Sequence, residues 1–178
     1  PEGGWVTVLV ADPQHAGVVY AATNYGGVYR STDFGATWQH ASIALPETTV
    51  RGLFVDPAFP TRLFALHWGG ISTTVNGAGT WGWTGLKTSL FGMGFDSLTP
   101  TNLFAILANP LPPATAERSR DRGATWTDFA TTLGEPRIVT VDPTDSRVIY
   151  VWDAFARDLM KTTLEAPLVQ GLARANAA

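Results

Sequence analysis

Cysteine is absent from the 178 residues. That excludes a disulfide framework, thiolate zinc sites, iron–sulfur clusters and a Cys nucleophile. It leaves the redox compartment open. Charge is scarce as well: 15% of residues are charged, against roughly 25% in an average soluble domain. Lys plus Arg number 12 and Asp plus Glu 15, for a net charge of −3. Duplex nucleic acid is bound by clearly basic domains, so no nucleic-acid partner is expected. No apolar run approaches the roughly 18 residues of a membrane-spanning helix. No signal peptide is visible, and the chain begins at Pro1 rather than Met, as a mature form or a piece of a longer chain does. The histidines, His15, His40 and His67, are scattered without metal-ligand spacing. No nucleophile elbow and no phosphate-cradling glycine loop occurs. No metal and no cofactor is therefore expected.

What the chain does have is apolar residues, turns and large aromatics. It is 45% hydrophobic, with 18 Gly, 12 Pro and seven Trp. Disorder is excluded by that hydrophobicity, and many short strands are favoured. The strands repeat. Val6-Thr7-Val8-Leu9-Val10-Ala11-Asp12-Pro13 returns as Arg51-Gly52-Leu53-Phe54-Val55-Asp56-Pro57 and as Arg137-Ile138-Val139-Thr140-Val141-Asp142-Pro143. Phe91 to Ser97 is a weaker copy around Asp96. The Asp residues at 12, 56, 96 and 142 are spaced by 44, 40 and 46. A second marker, Ser31-Thr32-Asp33-Phe34-Gly35-Ala36-Thr37-Trp38, returns as Ser119-Arg120-Asp121-Arg122-Gly123-Ala124-Thr125-Trp126. Between them stands Thr74-Val75-Asn76-Gly77-Ala78-Gly79-Thr80-Trp81, and Thr162 to Val169 keeps the spacing without the Asp, Gly and Trp.

Two markers with one period define four units of about 44 residues. Each unit reads as four strands, A to D: the run into Asp-Pro, a short apolar run such as Val18 to Ala21, the run before the second marker, and a strand starting at the Trp. Only the tail from Leu168 to Ala178 is compatible with helix. Four strands per period of 40–45 residues is the signature of a β-propeller blade. The expected fold is all-β, a propeller of four blades, each a four-stranded antiparallel sheet. It forms a single domain over 1–178, with blades near 5–48, 49–89, 90–134 and 135–172 and a tail at 173–178. Strand D of the fourth unit is expected near Leu168 to Leu172.

The second marker resembles the Asp box, or bacterial neuraminidase repeat, of sialidases, sortilin-type propellers, xyloglucan-cleaving glycoside hydrolases and photosystem II assembly factors. Gly26 to Asp33 is most similar to blades of the last two. The resemblance implies propeller architecture and is nearly silent on activity. Ser31, Asp33, Gly35, Thr37, Trp38, Asn76, Trp81, Ser119, Asp121, Gly123, Thr125 and Trp126 are expected to be structural. The Asp side chains should tie down turn amides, and the Gly residues should take angles closed to other residues. The Trp rings should wedge between blades. Asp12, Asp56 and Asp142 should open turns before Pro.

Strand parity places the A–B and C–D turns at one end of each blade and the B–C and D–A connections at the other. The second end varies between units, which is where binding residues concentrate. Asn24, Tyr25, His67, Trp68, Trp152, Asp153, Phe155 and Arg157 form the candidate ligand-binding face, with the Pro-stiffened stretch Asn109 to Ala114 beside them. A sialidase would need converging Arg residues and a Tyr–Glu pair, which Glu2, Glu47, Glu117, Glu135 and Glu165 do not match. An inverting glycosidase needs two carboxylates about 6–10 Å apart, and Asp153 is the single off-repeat acid in a face loop beside aromatics. The expectation is a non-catalytic module binding a glycan or a protein, outside the cytoplasm or secreted. Pairing into a homodimeric ring, or docking on a larger complex, is the matching assembly; a whole or fragmentary glycoside hydrolase is the alternative.

Overall fold

The computed structural model describes residues 4–108, 114–133, 136–154, 157–163 and 173–174. Among them all regular structure is β, and no helix is long and apolar enough to cross a membrane. The strands are β1 (Val6–Ala11), β2 (Val19–Thr23), β3 (Val28–Ser31), β4 (Gln39–His40), β5 (Gly52–Val55), β6 (Leu63–His67), β7 (Gly70–Thr74) and β8 (Gly82–Trp83). They continue with β9 (Leu90–Phe95), β10 (Leu103–Leu107), β11 (Ala114–Ser119), β12 (Thr127–Leu133), β13 (Pro136–Asp142), β14 (Asp145–Asp153), β15 (Asp158–Thr163) and β16 (Ala173–Arg174). Four sheets result, each holding four consecutive strands in chain order and paired antiparallel throughout. Strands β6 and β10, Leu-Phe-Ala-Leu-His and Leu-Phe-Ala-Ile-Leu, are buried along their full length. Their continuous apolar character fits strands covered on both faces.

The marker residues hydrogen-bond within their own turns. Asp33 Oδ1 accepts the Thr37 N–H at 2.9 Å and the Ser31 hydroxyl at 2.7 Å, while Ser31 Oγ accepts the Gly35 N–H at 2.9 Å. Asp121 repeats this with Thr125, Ser119 and Gly123 at 2.8, 2.8 and 2.7 Å. Asn76 does the same with the Thr80 N–H at 2.9 Å. Gly35 and Gly123 sit at φ 88° and 86°, angles that glycine alone adopts freely. Each turn is bonded to the A–B turn of its own sheet: Phe34 N–H to Gly17 O at 3.0 Å, Gly77 to Thr61 at 2.7 Å, Arg122 to Thr101 at 3.0 Å. The Asp-Pro turns are Asx turns. Asp12, Asp56 and Asp96 each accept N–H groups two and three residues on.

Several expectations need correcting. Trp81 alone wedges between sheets: it is buried, and its Nε1–H donates to Ala41 O of the preceding sheet at 2.8 Å. Trp38 lies over Gly35 and Trp126 donates to Gly123 O at 3.0 Å, so both half-buried rings fold onto their own turns. Trp81 differs because the Ala41–Ile43 backbone lies against it, Ile43 O also accepting its N–H. In the fourth sheet the last described strand is Ala173–Arg174, pairing with Lys161 and Met160; Leu168 to Leu172, where that strand was expected, lie outside the described residues.

The chain divides into two compact units, Pro1–Thr88 and Ser89–Ala178. In the first, Tyr20, Ala22 and Val28 of one sheet pack on Leu53, Leu63 and Ala65 of the next. In the second, Phe104, Ile106 and Ala116 pack on Val139, Val141, Ile149 and Val151. Gly92 and Gly94 permit this contact, since a Cβ there would lie 2.7 and 2.6 Å from Arg137 O and Val139 O.

Two stability predictions follow from the turns. Asp96 is fully buried and takes bonds from Leu98 N–H, Thr99 N–H, Asn102 Nδ2 and the Ser146 hydroxyl of the next sheet. Asp96→Ala strands those donors and should cost about 3 kcal/mol in denaturant unfolding; a loss below about 1 kcal/mol would contradict it. The hydrogen bonds from Thr37 and Thr125 hold Asp33 and Asp121 at about 2, below the ordinary 3.8. Their depressed values stabilise the fold above the ordinary value, and the effect fades as pH falls toward about 2. The Asp33→Asn, Asp121→Asn double variant should therefore show a shallower acid-induced fall in Tm than the parent chain.

Candidate functional site

The turns β2–β3 and β6–β7 lie at the end of their sheets opposite the Asp turns. There the backbone is tied to the D–A connections: Gly27 N–H bonds Thr48 O at 2.9 Å, and Ile71 N–H bonds Leu86 O at 3.2 Å. In the second sheet this end gathers Glu47, Arg51, His67, Trp68, Trp83 and Lys87. His67 closes β6 and is fully buried. Its Nε2 is 2.8 Å from Ser72 Oγ on β7. Its Nδ1 faces Glu47 Oε2 at 3.7 Å, beyond hydrogen-bond range. The Trp83 ring meets the imidazole edge-on at 4.9 Å and 72°. Gly69 leaves room for this arrangement, since a Cβ there would sit 2.3 Å from Glu47 Oε1 and 2.9 Å from the Trp83 ring. The Arg51 guanidinium stacks 3.9 Å from the Trp68 ring centroid, and Lys87 Nζ lies 5.8 Å from that of Trp83. Trp68 and Trp83 remain exposed.

Burial pushes the His67 imidazole below its ordinary 6.5; Glu47 pulls it up and Arg51 pushes it down further, with a net lowering. The ring is therefore neutral at neutral pH. Ser72, His67 and Glu47 follow the connectivity of a nucleophile, its base and an orienting acid. The hydroxyl and the imidazole are both fully buried, however, so no substrate carbonyl reaches the oxygen, as covalent catalysis requires. What this end offers a ligand is two indole faces, two cations and one carboxylate.

The other residues expected at the site distribute unevenly. In the first sheet Asn24 is buried, its carbonyl accepting the Thr49 hydroxyl at 2.6 Å, and its Oδ1 has no hydrogen-bond partner. Tyr25 is exposed and stacks edge-on with exposed Trp5, centroids 6.3 Å apart. In the other unit Trp152 and Asp153 belong to β14, not to a loop. They point to opposite faces of it, Asp153 buried and Trp152 partly exposed. Arg157 is exposed at the β14–β15 turn with φ 50°. Phe155, and Asn109 to Pro113, lie outside the described residues. Asp153 is not the single off-repeat acid in a face loop: Glu47, in the D–A connection, is the carboxylate beside aromatic rings. Arg51, Trp83, Lys87 and Trp5 were missed too. The repeat does carry a signal for Arg51, which stands five residues before Asp56 as Arg137 stands before Asp142. Arg137 is likewise stacked, 3.9 Å from the Phe91 ring. Among the described residues no group of three or more His, Asp or Glu is placed to hold a metal ion.

No family model and no curated protein matches the chain. Solved structures do. An ancestral GH74 enzyme matches over 90% of this chain and 23% of its own, with TM-score 0.77 and 23% identity. The Niastella koreensis GH74 enzyme matches over 90% of this chain and 28% of its own, with TM-score 0.67 and 23% identity. YCF48 bound to D1 peptide matches over 93% and 54%, with TM-score 0.65 and 13% identity. The chain thus spans about a quarter of the two enzymes and about half of YCF48. These neighbours are β-propellers, and the four sheets share that fold.

The buried imidazole has a measurable consequence. Below 6.5 the unfolded chain takes up a proton that folded His67 resists, so acidification removes stability. His67→Gln should flatten the decline in unfolding free energy between neutral and mildly acidic pH. A decline unchanged in the variant would contradict a depressed His67.

Proposed function

We propose that the chain is a non-catalytic binding module built of Asp-box blades, one per sheet. Its ligand is a glycan or a protein segment, held at the end carrying the β2–β3 and β6–β7 turns. One observation carries this reading: the exposed rings of Trp68 and Trp83, each with a cation against it, stand at the same end of the sheet as Glu47 and the polar pair His67 and Ser72, which solvent does not reach. Indole faces take the apolar face of a sugar ring or an apolar side chain. Arg51, Lys87 and Glu47 supply orientation. The solved neighbours include GH74 enzymes and a YCF48 chain with a peptide bound, so the fold is compatible with both ligand classes. The glycosidase alternative needs a second carboxylate roughly 6–10 Å from the first, and the cluster in the second sheet contributes Glu47 alone.

Glycan and peptide arrays, followed by titration of the best ligand, test the proposal. Trp68→Ala should weaken binding at least about tenfold, or about 1.4 kcal/mol, while Phe34→Ala at the opposite end should leave it unchanged. The reverse pattern would place the ligand on the wrong end. Hydrolysis of a polysaccharide, lost in Glu47→Gln, would replace the module with an enzyme.

A further inference from the structure

The marker turn of the second sheet differs from its two counterparts at one chemically labile place. Asn76 stands where Asp33 and Asp121 stand, and Gly77 follows it. An Asn-Gly pair loses its side-chain amide more readily than other Asn peptides, because glycine has no Cβ to shield its nitrogen. The remaining asparagines, Asn24, Asn102, Asn109 and Asn176, are followed by Tyr, Leu, Pro and Ala. Asn76 is exposed, so water reaches its amide, while Gly77 is buried.

Three hydrogen bonds hold the amide. Asn76 Oδ1 accepts the Thr74 hydroxyl at 2.8 Å and the Thr80 N–H at 2.9 Å. Nδ2 donates to Thr80 Oγ1 at 3.1 Å. The two donors at Oδ1 polarise the Cγ carbonyl and stabilise negative charge that develops on its oxygen. The nitrogen that must attack this carbon is held back, since the Gly77 N–H donates to Thr61 O at 2.7 Å. The electrophile is primed and the nucleophile is locked.

We propose that Asn76 is a site of spontaneous deamidation, gated by opening of the Gly77–Thr61 bond, and that the folded chain converts it to aspartate. Once that bond opens, base removes the Gly77 amide proton and the nitrogen attacks Cγ. Nδ2 takes up a proton and leaves as ammonia, closing a five-membered succinimide. Water then adds to one of the two imide carbonyls. Addition at Cγ breaks the new N–Cγ bond and gives Asp; addition at the main-chain carbonyl breaks the original peptide bond and gives isoaspartate. The donors from Thr74 and Thr80 favour addition at Cγ, because they stabilise charge on that oxygen. Isoaspartate lengthens the backbone of the turn by one atom and moves the carboxylate off the Thr80 amide. Asp reproduces the other two turns, in which Asp33 and Asp121 accept both the N–H and the hydroxyl of Thr37 and Thr125. The new charge lies at the end of the sheet opposite the proposed ligand end, so the conversion is independent of that reading.

The test is a time course of the folded 178-residue chain in mildly alkaline buffer, read by peptide mapping, mass spectrometry and isoaspartyl methyltransferase labelling, with Asn76→Asp as the product standard. The expected result is amide-to-acid conversion at Asn76, about ten- to a thousandfold slower than in the urea-unfolded chain, as an opening free energy of about 1.4–4 kcal/mol imposes. Asp should exceed isoaspartate in the folded chain, and Thr74→Val should lower that Asp share toward the ratio of the unfolded chain. No conversion within that range of rates overturns the proposal, and conversion as fast as in the unfolded chain overturns the gate. Isoaspartate as the main product of the folded chain, or an Asp share unmoved by Thr74→Val, overturns the directing role of the turn.

Discussion

Face-to-face stacking of unlike sheet faces is the constraint on which the rest of this chain depends. A four-stranded sheet of this length cannot bury both faces by itself, and short two-residue strands such as β4 and β8 add little. Tyr20 and Phe104 are buried because the next sheet's first two strands lie over them. The approach is close enough that Gly92 and Gly94 cannot carry a side chain. The turns serve this stacking. Bonds such as Phe34 N–H to Gly17 O lock the two turns at one end of a sheet together, so that each sheet meets its neighbour as a preformed slab.

The end proposed to bind is assembled by the same constraint. Glu47 and Arg51 come from the segment that leaves the first sheet and enters the second, while His67, Trp68 and Trp83 come from within the second. They meet because that connection must cross the β6–β7 turn, and Gly69 gives it the space. The price of the arrangement is a buried imidazole held below its ordinary value. Its hydrogen bond to Ser72 keeps it satisfied on one side only. Such a group rigidifies the base of a site whose contact surface is aromatic, and it is inaccessible as a reagent.

Most of the architecture was legible in the sequence because turn chemistry is local. Ser31, Asp33, Gly35 and Thr37 are linked by hydrogen bonds within seven residues, so their spacing is the structure. The Asp-Pro aspartates are read the same way. What was not legible depends on register and on distant segments. Trp152 and Asp153 looked like neighbours in one loop, yet they lie on opposite faces of β14 because the strand runs through Asp153. Trp38, Trp81 and Trp126 share one motif, but only Trp81 wedges between sheets, through contacts supplied by Ala41 and Ile43. Glu47 lies 20 positions from His67 in sequence, and nothing local marks it as the acid beside that ring.

Repetition with variation also separates scaffold from specificity. Positions that hold the turns keep their chemistry even where identity changes: Asn76 replaces Asp33 and still accepts the Thr80 amide through Oδ1. Ala78 likewise takes the positive φ that glycine holds in the first and third sheets. At the opposite end the equivalents diverge in kind, from Asn24 and Tyr25 to His67 and Trp68. Thr23 closes the β2–β3 turn, its hydroxyl accepting the Gly26 N–H and donating to Gly27 O; the exposed rings of Tyr25 and Trp68 are left to differ between units, and that freedom is what a recognition surface requires.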